Sequence, residues 1–264
     1  TNFEWREIMN KGIIVASFGT TYKETRELCI ESIENRIIEE FPDFLVKRAF
    51  TSRMVIEKLK KRDNYHVDTP TEALTRMKEE GVKDIHILPL LIIEGFEYEK
   101  ILRGARDFMK ENLDCNIFIG KPLLSSERDY ERVVEGLNLL NKDQAIVFMG
   151  HGTEHKAVAS YDRLEKVINE KGYNDVFLAT VEGKKTIEDI VEKIKGKNIK
   201  RVLLKPFMLV AGDHATKDMA SDSDDSWKII LEKNGIEVTT EIKGLGQLEA
   251  IQNIFIEHLR NSLE

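Results

Sequence analysis

Two stretches of this chain share one frame and place different reactive side chains in it. Residues 199–218 read IKRVLLKPFMLVAGDHATKD, and residues 82–101 read VKDIHILPLLIIEGFEYEKI. In overlay Lys83 meets Lys200, Pro89 meets Pro206, Gly95 meets Gly212 and Lys100 meets Lys217, while Glu97 falls on His214. Carboxylate and imidazole are both metal-ligating and proton-transferring groups. The repeat extends further. ASFGT (16–20) resembles FMGHGT (148–153) and sets Phe18 opposite His151; RAFTS (48–52) resembles ATVEG (179–183) and sets Thr51 opposite Glu182.

His151, Glu182 and His214 each follow an apolar run that reads as a strand. Each therefore sits at a carboxyl end, where open α/β sheets bind their ligands. Neighbouring parallel strands lie about 5 Å apart, so such side chains can meet at one ion. Two imidazoles and one carboxylate suit a divalent first-row metal such as Co2+, Ni2+, Fe2+ or Zn2+ and leave coordination positions open. Gly150, Gly152, Gly183 and Gly212 beside them let the backbone turn and a bulky group approach. Any one of the three alone reads more readily as a structural residue than as a ligand, a hydrogen-bonded histidine or, for Glu182, a helix cap. Their conjunction in one half, with Glu97 at the duplicated position, singles them out.

Other reactive groups carry less. His66 in a polar insertion and His258 on the last helix read as solvated, His86 as core or surface, and His155 as a weaker ligand candidate four residues after His151. The acidic run DMASDSDDSWK (218–228) lacks the glycine and closing glutamate of a calcium loop and reads as a capped helix start before Trp227. SFGTTY (17–22) could hold a phosphate or carboxylate but is neither GxGxxG nor a Walker A loop. The lack of a dinucleotide fingerprint rejects a nicotinamide enzyme, and the lack of a GxSxG elbow argues against an α/β-hydrolase.

The elements that must position these groups alternate. Apolar runs at 12–19, 44–50, 84–93, 115–123, 145–150, 175–181, 201–210 and 236–244 are separated by amphipathic stretches such as ETRELCIESIENRIIEEF, TEALTRMKEEG and TIEDIVEKIKGK. That rhythm predicts two similar Rossmann-like α/β domains with parallel sheets. Thr69-Pro70-Thr71-Glu72 marks a helix start with a cap, a first-turn proline and a carboxylate reaching back. The boundary is expected near 125–143, giving domains 9–130 and 131–264, with a final helix at roughly 247–262 that can pack back on the first domain. Met9 directly precedes the first strand, so residues 1–8 read either as a native extension or as a cloning remnant.

At 264 residues, 41% hydrophobic and 33% charged, the chain has the composition of a globular protein. The formal charge of −7 makes nucleic acid and anionic membranes unfavourable partners, and an anionic ligand would need a local basic patch. Cys29 and Cys115 form no metal motif and are expected as free thiols in a reducing cytoplasm. No run is long enough to span a bilayer and the N-terminus lacks the order of a signal peptide. A cytoplasmic protein is expected; its oligomeric state stays open, a homo-oligomer included.

The residues then show a family resemblance. VASFGTTY, RAFTSRMVIEKL, DTPTEAL, GFEYEKI, KPLLSS, VFMGHGTEH and especially PFMLVAGDHATKDMASDSDDSWK resemble the anaerobic sirohydrochlorin cobalt chelatases, in one register from about residue 11 to 262. The resemblance implies the class II chelatase fold shared with ferrochelatases, two α/β domains with the active-site cleft between them. It implies insertion of Co2+, the substrate metal, into sirohydrochlorin in cobalamin synthesis, releasing two protons, with no organic cofactor and no ATP. Carried over residue by residue, it makes His151, Glu182 and His214 the metal ligands and His151, His214 and Glu97 the catalytic groups. One departure stands out: the family often has histidine where this chain has Leu91, which bears on metal preference or proton relay. One imidazole, with a reference pKa near 6.5, can act as base, and Glu97 can accept or relay a proton. Arg53 and Lys100 are candidate cations for the carboxylates of the macrocycle. The alternatives are insertion of Fe2+ or Ni2+ into a related tetrapyrrole, or a non-catalytic tetrapyrrole- or metal-binding protein.

Overall fold

A computed structural model describes residues 10–140 and 143–264. Residues 1–8, whose origin the sequence leaves open, lie outside the described residues.

The eight apolar runs become eight strands in two parallel sheets. β1 (Lys11–Ser17), β2 (Leu45–Phe50), β3 (Asp84–Pro89) and β4 (Asn116–Ile119) are ordered β2-β1-β3-β4. β5 (Ala145–Gly150), β6 (Val176–Thr180), β7 (Arg201–Phe207) and β8 (Glu237–Thr240) are ordered β6-β5-β7-β8. One order is thus used twice. The central strands read as near-continuous apolar runs because parallel sheets with helical crossovers are covered on both faces. In β5 all six residues are buried, and in β1 all but Lys11.

The helices between strands form where the apolar spacing is 3.6. In the helix Pro70–Glu79, Ala73, Leu74 and Met77 fall on one buried face against Ile14 and Ile87 of the first sheet. In the helix Ile187–Gly196, Ile190, Val191 and Ile194 do the same against Val147 and Leu204 of the second. Each such Leu or Ile taken fully from water contributes about 1.5–3 kcal/mol. The start at Thr69 is a complete capping box. The Glu72 N–H donates to Thr69 Oγ1 at 3.3 Å and the Thr69 N–H to Glu72 Oε2 at 2.8 Å.

β3 and β7 end before their apolar runs do, at Pro89 and Phe207 rather than at 93 and 210. The prolines hold the same place in both ladders, Pro89 beside Ala16 and Pro206 beside Met149. Proline brings no N–H to a ladder, which suits the end of a strand.

The chain divides into two compact units that are not contiguous in sequence. One gathers the described residues up to Thr21, Glu31–Pro122 and Phe255–Glu264; the other gathers Tyr22–Ile30 and Leu123–Ile254. In the first, Arg260 pairs with Glu40 at 2.5 Å, and His258 Nδ1 bonds the Lys121 carbonyl at 2.9 Å. In the second, the Tyr22 hydroxyl donates to Asp213 and Thr25 Oγ1 to the Ala211 carbonyl at 3.5 Å. Among the described residues no helix is long and apolar enough to cross a membrane.

Candidate metal-handling site

His151 is the first residue beyond β5, and Glu182 the second beyond β6. Their backbones are tied: the Val181 N–H donates to the Gly150 carbonyl at 3.0 Å and the Glu182 N–H to the His151 carbonyl at 2.9 Å. Gly152 makes this closeness feasible. Its φ is +78° and a Cβ there would stand 1.9 Å from the Glu182 carbonyl oxygen, so no other residue fits without moving the chain. Thr180 Oγ1 fastens the same carbonyl at 2.7 Å.

His214 opens a π-helical turn, His214–Met219, after β7. Such turns occur mostly as local bulges, often at functional sites. The turn brings the His214 ring to 4.9 Å from that of His151, centroid to centroid, with the planes at 82°. Both imidazoles are oriented through Nδ1. His151 Nδ1 lies 3.0 Å from the Gly152 carbonyl, and His214 Nδ1 lies 2.5 Å from Asp218 Oδ2. A carbonyl only accepts, and so does an ionised carboxylate, so each Nδ1 carries the proton when the ring is neutral. Each Nε2 then keeps its lone pair for a metal or a proton. Outer partners of this kind fix tautomer and ring direction in metal sites.

Beneath them lies Tyr161, buried, its hydroxyl accepting from the Gly152 N–H at 3.3 Å. Burial pushes this phenol up to about 12, the Gly152 bond works the other way, and the Glu182 charge adds to the rise. It is a structural prop that keeps its proton.

The structure brings the two imidazoles together and ties Glu182 to them through the backbone. It does not close the Glu182 side chain onto the pair: among the described residues no group of three or more His, Cys, Asp or Glu side chains is gathered closely enough to hold a metal. Glu182 is exposed.

Glu97, in the first unit, is the second residue of the helix Phe96–Glu111. Lys100 Nζ donates to its Oε1 at 2.7 Å, while its Oε2 is buried without a partner. The equivalence with His214 is visible in the backbone, where the Glu99 N–H reaches the Gly95 carbonyl and the Thr216 N–H the Gly212 carbonyl, both at 3.0 Å.

One pairing from the sequence needs correction. The Thr51 N–H donates to the Ser17 carbonyl at 2.8 Å and the Ser52 N–H to the Phe18 carbonyl at 3.2 Å. Set beside the bonds of Val181 and Glu182, these make Ser52, not Thr51, the counterpart of Glu182. Backbone bonds fix register, and a loop after a strand absorbs a one-residue slip that motif overlay cannot see.

The other histidines fall out of the chemistry. His155 caps a short 3-10 turn, accepting the Ala157 N–H on Nδ1 at 3.0 Å. His86 is core, stacked on Phe118 at 4.6 Å. His258 is half-buried on its Lys121 bond rather than solvated, and His66 is exposed. In the acidic run, Asp222 and Asp224 pair with Lys228 and Lys233, and Ser226 caps the helix at Trp227. Leu91 packs against the apolar core of the first unit. Sequence reasoning missed Asp218 and Tyr161. The four-residue spacing from His214 to Asp218 was the available signal for the first; only a fold reveals the second.

Comparison with solved structures defines the class first. The chain superposes on the sirohydrochlorin chelatase SirB from Bacillus subtilis subspecies spizizenii in complex with cobalt, with a TM-score of 0.66 at 12% identity, covering 96% of this chain and 95% of that one. It superposes on CbiX, described as the terminal enzyme of sirohaem biosynthesis in denitrifying bacteria, with a TM-score of 0.56 at 14% identity, covering 96% and 100%. The architecture is the α/β chelatase fold. The family is narrower: the cobalt chelatase (CbiK) model matches residues 11–264, and the chain belongs to that family. Among curated relatives, the sirohydrochlorin cobaltochelatase of Salmonella typhimurium is 38% identical over 259 residues, 97% of each chain. Sirohydrochlorin cobaltochelatase CbiKC of Nitratidesulfovibrio vulgaris is 31% identical over 254 residues, 94% of this chain and 89% of that one.

Proposed function

We propose that this protein is a sirohydrochlorin cobaltochelatase, inserting Co2+ into sirohydrochlorin with release of two protons, without ATP or an organic cofactor. The observation that carries the reading is the imidazole pair of His151 and His214, each with Nδ1 engaged and Nε2 left as a ligand atom, in a chain of the cobalt chelatase family. Metallation needs an ion held by few, exchangeable ligands, because the protein must surrender it. His151 and His214 hold the incoming Co2+ and Glu182 swings in as third ligand. As the four ring nitrogens replace them, two pyrrole N–H bonds break and two protons leave. An imidazole Nε2 freed of metal takes one proton, and Glu97, with Lys100 on one oxygen and the other without a partner, takes or relays one. We place the reaction in the cytoplasm, a setting that suits two buried free cysteines.

The test is anaerobic metallation of sirohydrochlorin followed by the absorption change of the macrocycle, with Co2+, Ni2+ and Fe2+ side by side. The expected result is acceleration above the uncatalysed rate, fastest with Co2+. No acceleration with any ion overturns the reading; faster insertion of Ni2+ or Fe2+ overturns the choice of metal.

A further inference from the structure

The first unit holds a cavity of about 250 Å³ beside the carboxyl end of β2. Its wall is assembled from three helices and a strand end: Thr51 just beyond β2, Arg53 opening the helix Arg53–Asp63, Thr71 in the first turn of the helix Pro70–Glu79, and Lys100 on the helix Phe96–Glu111. Leu74 and Ile87 give it an apolar floor.

Several features point to an anion. Two cations and no carboxylate line the cavity. Among the described residues Arg53 forms no ion pair and its side chain is exposed, in a protein of net charge −7. Lys100 spends one of its three N–H donors on Glu97 Oε1 and keeps two. Of the carboxylates next in sequence to the wall, Glu72 is turned back onto the Thr69 N–H and Asp68 is paired with Arg76 at 2.7 Å. Thr51, 9% exposed, has a buried hydroxyl with no hydrogen-bond partner. Buried polar atoms are almost always satisfied, so an orphan in a cavity wall asks for an acceptor. Two helix starts on the same wall add positive dipole ends, although Ser52 and Thr69 already cap them with their own side chains.

Gly104 supplies an independent reason. It lies inside a sixteen-residue helix, where glycine costs helix stability, and a Cβ there would stand 2.9 Å from Thr71 Oγ1. The missing side chain keeps the cavity open on that wall.

We propose that this cavity is a carboxylate pocket that takes one acid arm of the tetrapyrrole, its methylenes on the apolar floor and its oxygens on Arg53, Lys100 and the Thr51 hydroxyl. The identity of the arm rests on the reading given above as the proposed function. The volume supports an arm rather than a macrocycle, since sites that enclose whole drug-sized ligands run to about 300–1,000 Å³. The link from Lys100 to Glu97 places the pocket one side chain from the proposed proton acceptor.

The test separates the two readings. Metal-free sirohydrochlorin and its fully esterified form are titrated into wild-type protein, Arg53→Met, Arg53→Lys and Thr51→Val, following macrocycle fluorescence. Arg53→Met and Thr51→Val are expected to weaken binding of the acid about tenfold, the scale of one lost charge-assisted contact. KM for sirohydrochlorin rises by the same factor, KM for Co2+ and kcat stay unchanged, Arg53→Lys keeps most of the binding, and the ester binds all four proteins alike. Equal binding of the acid by wild type and variants overturns the pocket and leaves the proposed function standing, as does a loss that the ester shows too. If wild-type protein neither binds nor metallates sirohydrochlorin, the proposed function falls. The pocket is then judged with propionate: a saturable shift of the Thr51 methyl NMR resonance, lost in Arg53→Met, retains a carboxylate site, and no shift in wild type ends it.

Discussion

The two sheets share a strand order and even individual backbone bonds, yet the ends of their equivalent strands carry different chemistry. Beyond β5 and β7 stand His151 and His214; at the corresponding places beyond β1 and β3 stand Phe18 and Glu97. The second edge concentrates imidazole nitrogens, 4.9 Å apart ring to ring. The first carries orphaned oxygen groups instead, in Ser17, Thr51 and Glu97. A repeated frame, once held by main-chain bonds, is free to vary the side chain at each strand end. What differs most is the segment after the third strand of each sheet, an ordinary sixteen-residue helix in one and a six-residue π-helical turn in the other. The π turn is where His214 is delivered.

The largest effect should follow from removing an imidazole. His151→Ala or His214→Ala is expected to lower cobalt insertion by at least about a hundredfold, more than the loss of a partner that merely orients a ligand. Phe18→Ala, at the counterpart of His151, should change the rate by less than about threefold, because a phenyl ring supplies neither a metal ligand nor a proton acceptor. Initial rates of metallation at saturating macrocycle check both. A Phe18→Ala loss as large as that of His151→Ala would mean that the two edges share the work evenly, and the contrast would be broken.

The glycines give a sharper version. Gly19 and Gly152 follow Phe18 and His151, and both are left-handed, at φ +95° and +78°. A Cβ on Gly19 would meet the Phe50 ring at 2.5 Å, whereas one on Gly152 would meet the Glu182 backbone carbonyl at 1.9 Å. The buried Phe50 side chain can give way only by repacking, which still costs less than moving a carbonyl held by Thr180 and the loop that carries it. Gly19→Ala is therefore expected to cost about 1–3 kcal/mol, the range for a strained backbone residue. Gly152→Ala should cost more, about 3–5 kcal/mol, because overpacking adds to the strain. Urea denaturation of both variants tests the order, and equal costs would show the two loops to be equally yielding.

Much of this was legible beforehand, and the rest was hidden for identifiable reasons. All eight strands follow from apolar runs, and the capping box at Thr69 from four consecutive residues, because both are local patterns. The equivalence of Glu97 with His214 was readable because Pro89, Gly95 and their partners hold the same spacing in both halves. The grouping of Tyr22–Ile30 with the second unit was not, since it rests on contacts such as Thr25 to Ala211, 186 positions apart. Nor was the π turn, since a change of hydrogen-bond spacing leaves no mark in composition. The slip of Glu182 by one place onto Ser52 belongs to the same class: register is decided between strands.

The smallest contrast lies inside the sheets. His86 in β3 sits beside Ile13, and Leu203 in β7 beside Ile146, so a titratable ring in one sheet stands where the other has leucine. Burial pushes the His86 imidazole below its usual 6.5, Asp84 draws it partly back up, and Lys11 adds to the fall. The folded state therefore resists protonating it. As pH falls through 6.5 the unfolded chain takes up this proton first, so stability is full above about 6.5 and declines below it until the folded state's own lower pKa is reached. His86→Leu, copying the second sheet, is expected to shift stability at pH 7.5 by less than about 1.5 kcal/mol. It should also flatten the decline between pH 6.5 and 5, read as the difference in urea midpoints between variant and wild type at each pH. An unchanged decline would place the acid sensitivity of the protein elsewhere and leave the two sheets alike in this respect.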